Sequence, residues 1–189
     1  MIKKQIMHII KELIGKEESQ DKLISLTRIA VRLCATSIKN IHARELKEAE
    51  YNLREAGQMV KKIKKICGAF SAAEVVFQEY GEAKVLLELI NRKPIPSDKS
   101  LGIPPEIYLN SLLDLIGELR REMLENLRKG RHEDAEYYFE CMEKIYEELL
   151  PIKFANSILP NFRRKQDAAR HSLEQARSEL FFAKYQAPT

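Results

Sequence analysis

Four carboxylates in two pairs, Glu79/Glu82 and Asp114/Glu118, have the residue types and the spacing to do chemistry together. Steps of three and four residues on a helix leave paired side chains about 60° and 40° apart around the axis. If the two helices face each other, up to four acids converge, and such a cluster repels itself unless a cation or shared protons neutralise it. Oxygen-only donors suit a hard divalent ion such as magnesium. At offsets of three and four, Glu79 meets Val75, Val76, Glu82 and Ala83. Glu82 meets Gln78, Glu79, Val85 and Leu86, and Asp114 meets Asn110, Ser111, Gly117 and Glu118. None of the three has a cationic neighbour on its own helix. Val75, Val76 and Leu86 share the face of Glu79 and Glu82, so these carboxylates lean on an apolar wall and need a compensating partner from elsewhere. An arginine or lysine of another helix is the plain alternative to a metal ion.

The elements that must position these residues are helices. There is no proline before Pro94, and period-3.6 apolar patterns dominate with no sustained alternation. The patterns predict helices over about 2–42, with a candidate break at 15–19, then about 43–67 and 70–91. A connector with three prolines and a glycine follows at 91–104. Pro105 suits the first turn of the next helix, which runs to about 129, where Gly130 fits a C-terminal cap. The last two helices cover about 132–149, stopped by Pro151, and a span from after Pro160 to before Pro188. The connector is too short to separate two cores, so residues 1–189 form one all-α domain, an antiparallel bundle of six or seven helices.

Composition narrows the function classes. At 189 residues with 44% apolar and 32% charged residues, the chain is a soluble globular protein with room for a substantial core. No apolar run approaches the roughly 20 residues that cross a bilayer, and no secretory signal opens the chain, which points to the cytoplasm. Cys34, Cys67 and Cys141 have neither disulfide nor zinc spacing and read as small core residues. The net charge of +4 is a mild basic bias, compatible with a nucleic-acid partner.

The basic residues are arranged rather than scattered. Arg28, Arg32 and Lys39 lie within about 40° of one another around the helix axis, opposite Leu23, Leu26, Ala30 and Leu33. Arg44 follows His42 at the helix end. A line of cations at this spacing can track a phosphate backbone, and a solvated basic face is the alternative. His42 is a candidate general base or phosphate contact, against a surface or capping role. Lys61, Lys62, Lys64 and Lys65 sit where the helix dipole favours positive charge. Arg163, Arg164 and Lys165 start the last helix with the wrong sign for that dipole and are candidates either for an anion or for solvation. Tyr137 and Tyr138 could stack on bases or pack a helix seam. The Glu-x-x-His of di-iron bundles is missing after both acid pairs, and no phosphate loop or hydrolase motif occurs.

Three segments resemble the translin family, and within it the Trax branch. Residues 26–44, from Leu26-Thr27-Arg28 to His42-Ala43-Arg44, resemble the family's basic first helix, with Thr27 for its serine and Ala43 separating His42 from Arg44. Glu79-Tyr80-Gly81-Glu82-Ala83 resembles the Trax motif Glu-Tyr-Val-Glu-Ala. Residues 108–121, with Asp114, Gly117, Glu118 and Arg121, resemble the segment Tyr-Leu-Leu-Gly-Val-Ala-Asp-Leu-Thr-Gly-Glu-Leu-Met-Arg. Helix order and length agree over almost the whole chain. Gly81 departs from the family's valine, the connector at 91–104 is short, and the C-terminal tail does not match.

The resemblance implies a bundle of about seven helices assembling into a barrel-like oligomer, an octamer of one chain or with a translin-like partner subunit. It implies a metal-dependent endoribonuclease that cuts single-stranded RNA inside that barrel. Glu79, Glu82 and Asp114 would be its ligands for magnesium or manganese, with Glu118 a fourth ligand or an outer base. Arg28, Arg32, Lys39, His42, Arg44, Arg120 and Arg121 would hold the strand. A protein of the translin type, which binds single-stranded RNA or DNA without cutting it, is the alternative, and a helical scaffold is the third reading. No membrane partner is expected.

Overall fold

The computed structural model describes residues 2–67 and 73–185. The side chain of Cys67, the expected helix start at Phe70 and the approach to Pro188 lie outside them. Among the described residues seven helices follow one another, α1 (Ile2–His42), α2 (Leu46–Cys67), α3 (Glu74–Ile90), α4 (Asp98–Leu101), α5 (Pro105–Arg128), α6 (His132–Leu149) and α7 (Phe162–Tyr185). No strand occurs among the described residues, so the all-α expectation holds. No described helix is long and apolar enough to cross a membrane.

The punctuation acts largely where the sequence places it. Pro105 opens α5, and Gly130, at φ +69, follows its end. The connector at 91–104 contains one helical turn, α4, capped by Ser97 Oγ accepting from the Ser100 amide and closed by Gly102 in the left-handed conformation. Two boundaries differ. α1 is continuous through Gly15, whose absent side chain leaves only open space there. α2 starts at Leu46 rather than Ala43, because Arg44 turns the chain at φ 64.

The centre of the bundle is α5, which packs on α3, α6 and α7, while α1 packs on α2 and α3. Leu86 of α3, Leu115, Ile116, Leu119 and Met123 of α5 and Met142 of α6 are fully buried. Each such side chain contributes on the order of 1.5–3 kcal/mol by leaving water. A smaller cluster joins Leu23 and Ala30 of α1, Val60 and Ile63 of α2, Val76 and Phe77 of α3, and Ile103 and Ile107. Cys34 is buried, as its core role predicts, and Cys141 is half-buried. Tyr137 and Tyr138 meet edge to face under Arg92, so they belong to a packing seam.

Two glycines set how closely helices approach α3. A Cβ on Gly81 would lie 2.7 Å from Ser111 Oγ of α5 and 2.9 Å from Ile103 Cδ1. A Cβ on Gly57 of α2 would lie 2.7 Å from the Tyr80 hydroxyl. Gly81 therefore draws α3 against α5 at the level of both carboxylate pairs, and the valine of the resembling motif would not fit this packing unchanged.

Burial on α1 begins at Leu23, and every described residue before it is exposed. Ile2, Ile6, Ile9, Ile10, Leu13 and Ile14 line one side of this free stretch. At 100° per residue they span a stripe about 140° wide.

Candidate acidic site and its basic groove

α3 and α5 bring the four carboxylates within reach of one another's charge. Each acid of α3 feels the charge of Asp114 and Glu118 on α5. Glu82 sits deepest, at 9% exposure. Burial and then the charges of Asp114, Glu79 and Glu118 push its carboxyl up to about 8. Glu79 is shifted in the same direction, first by burial and then by Asp114 and Glu118. Burial and then the charges of Glu79 and Glu82 raise the Cys34 thiol to about 12, so Cys34 stays a neutral wall of the cluster.

The cation that relieves this repulsion comes from α7. Lys165 Nζ donates to Asp114 Oδ2 at 2.6 Å, and Gln78 Nε2 of α3 donates to the same oxygen at 2.5 Å. The alternative of a basic residue from another helix is thus realised for Asp114. It is not realised for Glu79 or Glu82, which have neither a hydrogen bond nor an ion pair among the described residues and feel Lys165 only through its charge. Solvation, the other outcome open for the run 163–165, holds for Arg163 and Arg164, which are exposed, but not for Lys165.

Glu118 belongs to a second arrangement. Its Oε2 accepts from His42 Nε2, and His42 Nδ1 donates to Glu122 Oε1 at 2.6 Å. Arg44 donates to the other oxygen of Glu122 at 2.7 Å. Glu122 is 1% exposed, so these two partners replace the water it has lost. Burial lowers the His42 pKa, but the hydrogen bonds to Glu118 and Glu122 outweigh it and hold the ring above its ordinary value. With a carboxylate on each nitrogen, the ring is an imidazolium donating on both sides. The His42 hydrogen bond in turn holds Glu118 below the usual carboxylate range. The surface or capping alternative for His42 is not realised, because its side chain is 9% exposed and held at both nitrogens.

Beside this triad opens a groove of about 570 Å³, lined by Lys39, His42, Gly117, Arg120, Arg121 and Arg128 among others. Four of the seven expected strand contacts, Lys39, His42, Arg120 and Arg121, thus meet at one place. Arg28 and Arg32 are exposed on α1 but lie about 16 and 10 Å up the helix from Lys39, outside the groove. Arg44 also stands outside it, engaged with Glu122. Arg120 and Arg121 differ: Arg120 is 27% exposed and tied to Glu179 of α7, whereas Arg121 is 60% exposed and 3.7 Å from Glu118. Gly117 is exposed in mid-helix at the groove wall, with nothing within 4 Å of where its Cβ would be. A glycine there costs the helix about 1 kcal/mol against alanine, and no packing contact requires it.

A metal ion fits this donor set in chemistry. The acids offer oxygen alone, two of them have no hydrogen-bond or ion-pair partner among the described residues, and their mutual repulsion leaves the cluster short of positive charge. As the side chains stand, no three His, Cys, Asp or Glu among the described residues are grouped closely enough to hold an ion. Asp114, turned to Lys165 and Gln78, is the acid whose partners would have to change.

The comparisons agree with the architecture. No family model matches the chain. It is 33% identical to an uncharacterized protein of Methanocaldococcus jannaschii over 184 residues, which covers 93% of this chain and 81% of that protein. Among solved structures it is similar to AfC3PO, both in a crystal structure of that protein and in its complex with duplex RNA. In each case the TM-score is 0.88 and the identity 29%, over 96% of this chain and 97% of that one. It is similar to apo-NeC3PO with a TM-score of 0.86 and 25% identity, over 94% of this chain and 96% of that one. C3PO is the translin–Trax complex. Matched over nearly its full length, these neighbours give the chain the fold of the translin–Trax complexes and support a place in the translin family.

Proposed function

We propose that the protein is a metal-dependent endoribonuclease of the Trax type, cutting single-stranded RNA within an oligomeric helical barrel. The observation that carries this reading is the adjacency of two opposite surfaces. Four carboxylates on α3 and α5 that feel one another's charge lie next to a groove lined by Lys39, Arg120, Arg121, Glu125 and Arg128, with His42 and Glu118 on their border. A protein that only bound RNA would gain nothing from massed acids beside its phosphate contacts, because they repel the strand.

Glu79, Glu82 and Asp114 would hold magnesium or manganese, which when bound supplies a Lewis acid for the phosphodiester and an activated water. Glu118, kept ionised by His42, is a weak base. It suits a ligand or positioning role better than the proton-accepting role the sequence also allowed. Lys39 and Arg121 hold the phosphates of the strand, Arg128 is held by both oxygens of Glu125, and Arg120 braces the groove through Glu179. No base-reading element is required: the contacts are to backbone charge.

The exposed apolar stripe of α1 supports assembly with further copies, since about three and a half helical turns of isoleucine and leucine otherwise face water. An octamer of this chain, or one shared with a translin-like partner, is the assembly proposed.

The test is cleavage of end-labelled RNA by the pure protein, with magnesium, with manganese and with chelator. Because AfC3PO holds duplex RNA, single-stranded and duplex substrates are run side by side. Metal-dependent cutting of the single strand supports the proposal, and cutting confined to duplex corrects the substrate form. Binding without cutting under all conditions favours the translin-type binding module instead.

A further inference from the structure

Lys165 stands in the carboxylate cluster from a helix that contributes no acid to it. It lies in the first turn of α7, three residues after the buried anchor Phe162. Arg163 and Arg164 beside it are exposed, while the Lys165 side chain is 17% exposed, so one cation of three is drawn inward. A lysine at this end of a helix opposes the macrodipole. Its favourable interaction is with the acids: the ammonium lies 2.6 Å from Asp114 Oδ2, and its charge also reaches Glu79 and Glu82.

This geometry makes two cations compete for one oxygen. A divalent ion held by Glu79, Glu82 and Asp114 must draw Asp114 away from an ammonium already bound there. We propose that Lys165 is the resident counter-cation of the cluster, displaced when a divalent ion binds, and that it thereby sets the ion concentration at which the site fills. The proposal rests on the reading of the carboxylates as a metal site. The displacement requires no unfolding. The ammonium is carried on a flexible four-carbon stem, while α7 is held independently by Phe162, by Arg120 with Glu179, and by Gln166 Nε2 donating to the Leu149 carbonyl at 2.8 Å.

Thermal unfolding of the full chain across a manganese or magnesium titration reads the effect without turnover. In Lys165→Met the midpoint of metal-induced stabilisation should move to about tenfold lower concentration, because a positive charge has left the site. Lys165→Arg, which keeps the charge, should stay within about twofold of wild type. Without metal, Lys165→Met should melt below wild type, since the acids then face one another without a cation. Should Lys165→Met not fold, Lys165→Gln removes the charge while keeping a donor for Asp114 and should show the same shift. A midpoint in the neutral variants equal to or above that of wild type overturns the proposal. No metal response in wild type or any variant overturns the underlying reading of the cluster, and this proposal with it.

Discussion

The imidazole of His42 is clasped by two carboxylates of one helix, with Nδ1 2.6 Å from Glu122 Oε1 and Nε2 on Glu118 Oε2. The clasp joins the end of α1 to the middle of α5 and forms the border between acid cluster and basic groove. Its stability contribution follows from the raised pKa of the ring. A cation favoured in the folded state contributes fully below the unfolded value near 6.5 and loses that contribution as pH rises through the folded value. His42→Ala should cost about 2–3 kcal/mol at pH 6, because it removes one of two partners from the buried Glu122. The difference from wild type should shrink in alkaline buffer. Denaturant unfolding at several pH values measures this, and ring-proton NMR locates the titration. A ring that titrates below 6.5 would contradict the clasp.

Glu82 carries the opposite sign. Its carboxyl is pushed from 4.5 up to about 8 in the folded protein, so the folded state keeps a proton that the unfolded chain has released. In the absence of metal, stability should therefore fall as pH rises from about 4.5 to about 8 and stay low above that. Glu82→Gln removes this dependence and should be the more stable protein at pH 8, by about 2 kcal/mol. Parallel pH–stability curves for the two proteins would show that Glu82 is not held in the acid cluster.

The two glycines near the site should respond oppositely to added side chains. Gly81→Val places atoms where Ser111 and Ile103 already stand, and should destabilise by about 1–3 kcal/mol. Gly117→Ala meets no atom within 4 Å and should stabilise by up to about 1 kcal/mol. Gly117→Leu fills the groove wall and should weaken RNA binding without lowering the melting temperature. Melting curves paired with RNA titrations separate these effects. Unchanged RNA affinity in Gly117→Leu would place the strand elsewhere.

Arg120 and Arg121 are neighbours in sequence with different tasks. Arg121→Ala should lower the slope of log affinity against log salt by about 0.7, the signature of one lost phosphate contact on a single strand. Arg120→Ala removes the bridge to Glu179 and should act chiefly on stability, by about 1 kcal/mol after allowance for its partial exposure. Salt-dependent RNA binding and thermal melting distinguish them. Equal salt slopes for both variants would contradict this division.

Much of this was legible in the chain. Proline and glycine punctuation located most helix ends, because those residues act through local backbone geometry. The spacing of Glu79, Glu82, Asp114 and Glu118 marked them as a set, because side-chain direction on a helix repeats predictably. Tertiary partners were not legible. Glu122 reads as an ordinary surface acid until α1 delivers His42 and Arg44 to it. Its one signal is a spacing of four from Glu118. Lys165, 51 residues after Asp114, reads as one of three solvated cations until α7 docks on α5. Arg128 joins the groove from a helix end where the dipole alone would explain a basic residue. Gly81 reads as a weakened helix, whereas its missing side chain is what lets α3 meet α5.

The most direct test is a paired measurement on Glu82→Gln, a substitution that keeps size and removes the ionisable group at the deepest of the four clustered carboxylates. Single-strand RNA affinity and metal-dependent cleavage are measured on the same preparation. The account predicts that cleavage is lost while RNA binding is kept, because Glu82 stands in the acid cluster and not among the cations that line the groove. Cleavage at the wild-type rate in Glu82→Gln would contradict it.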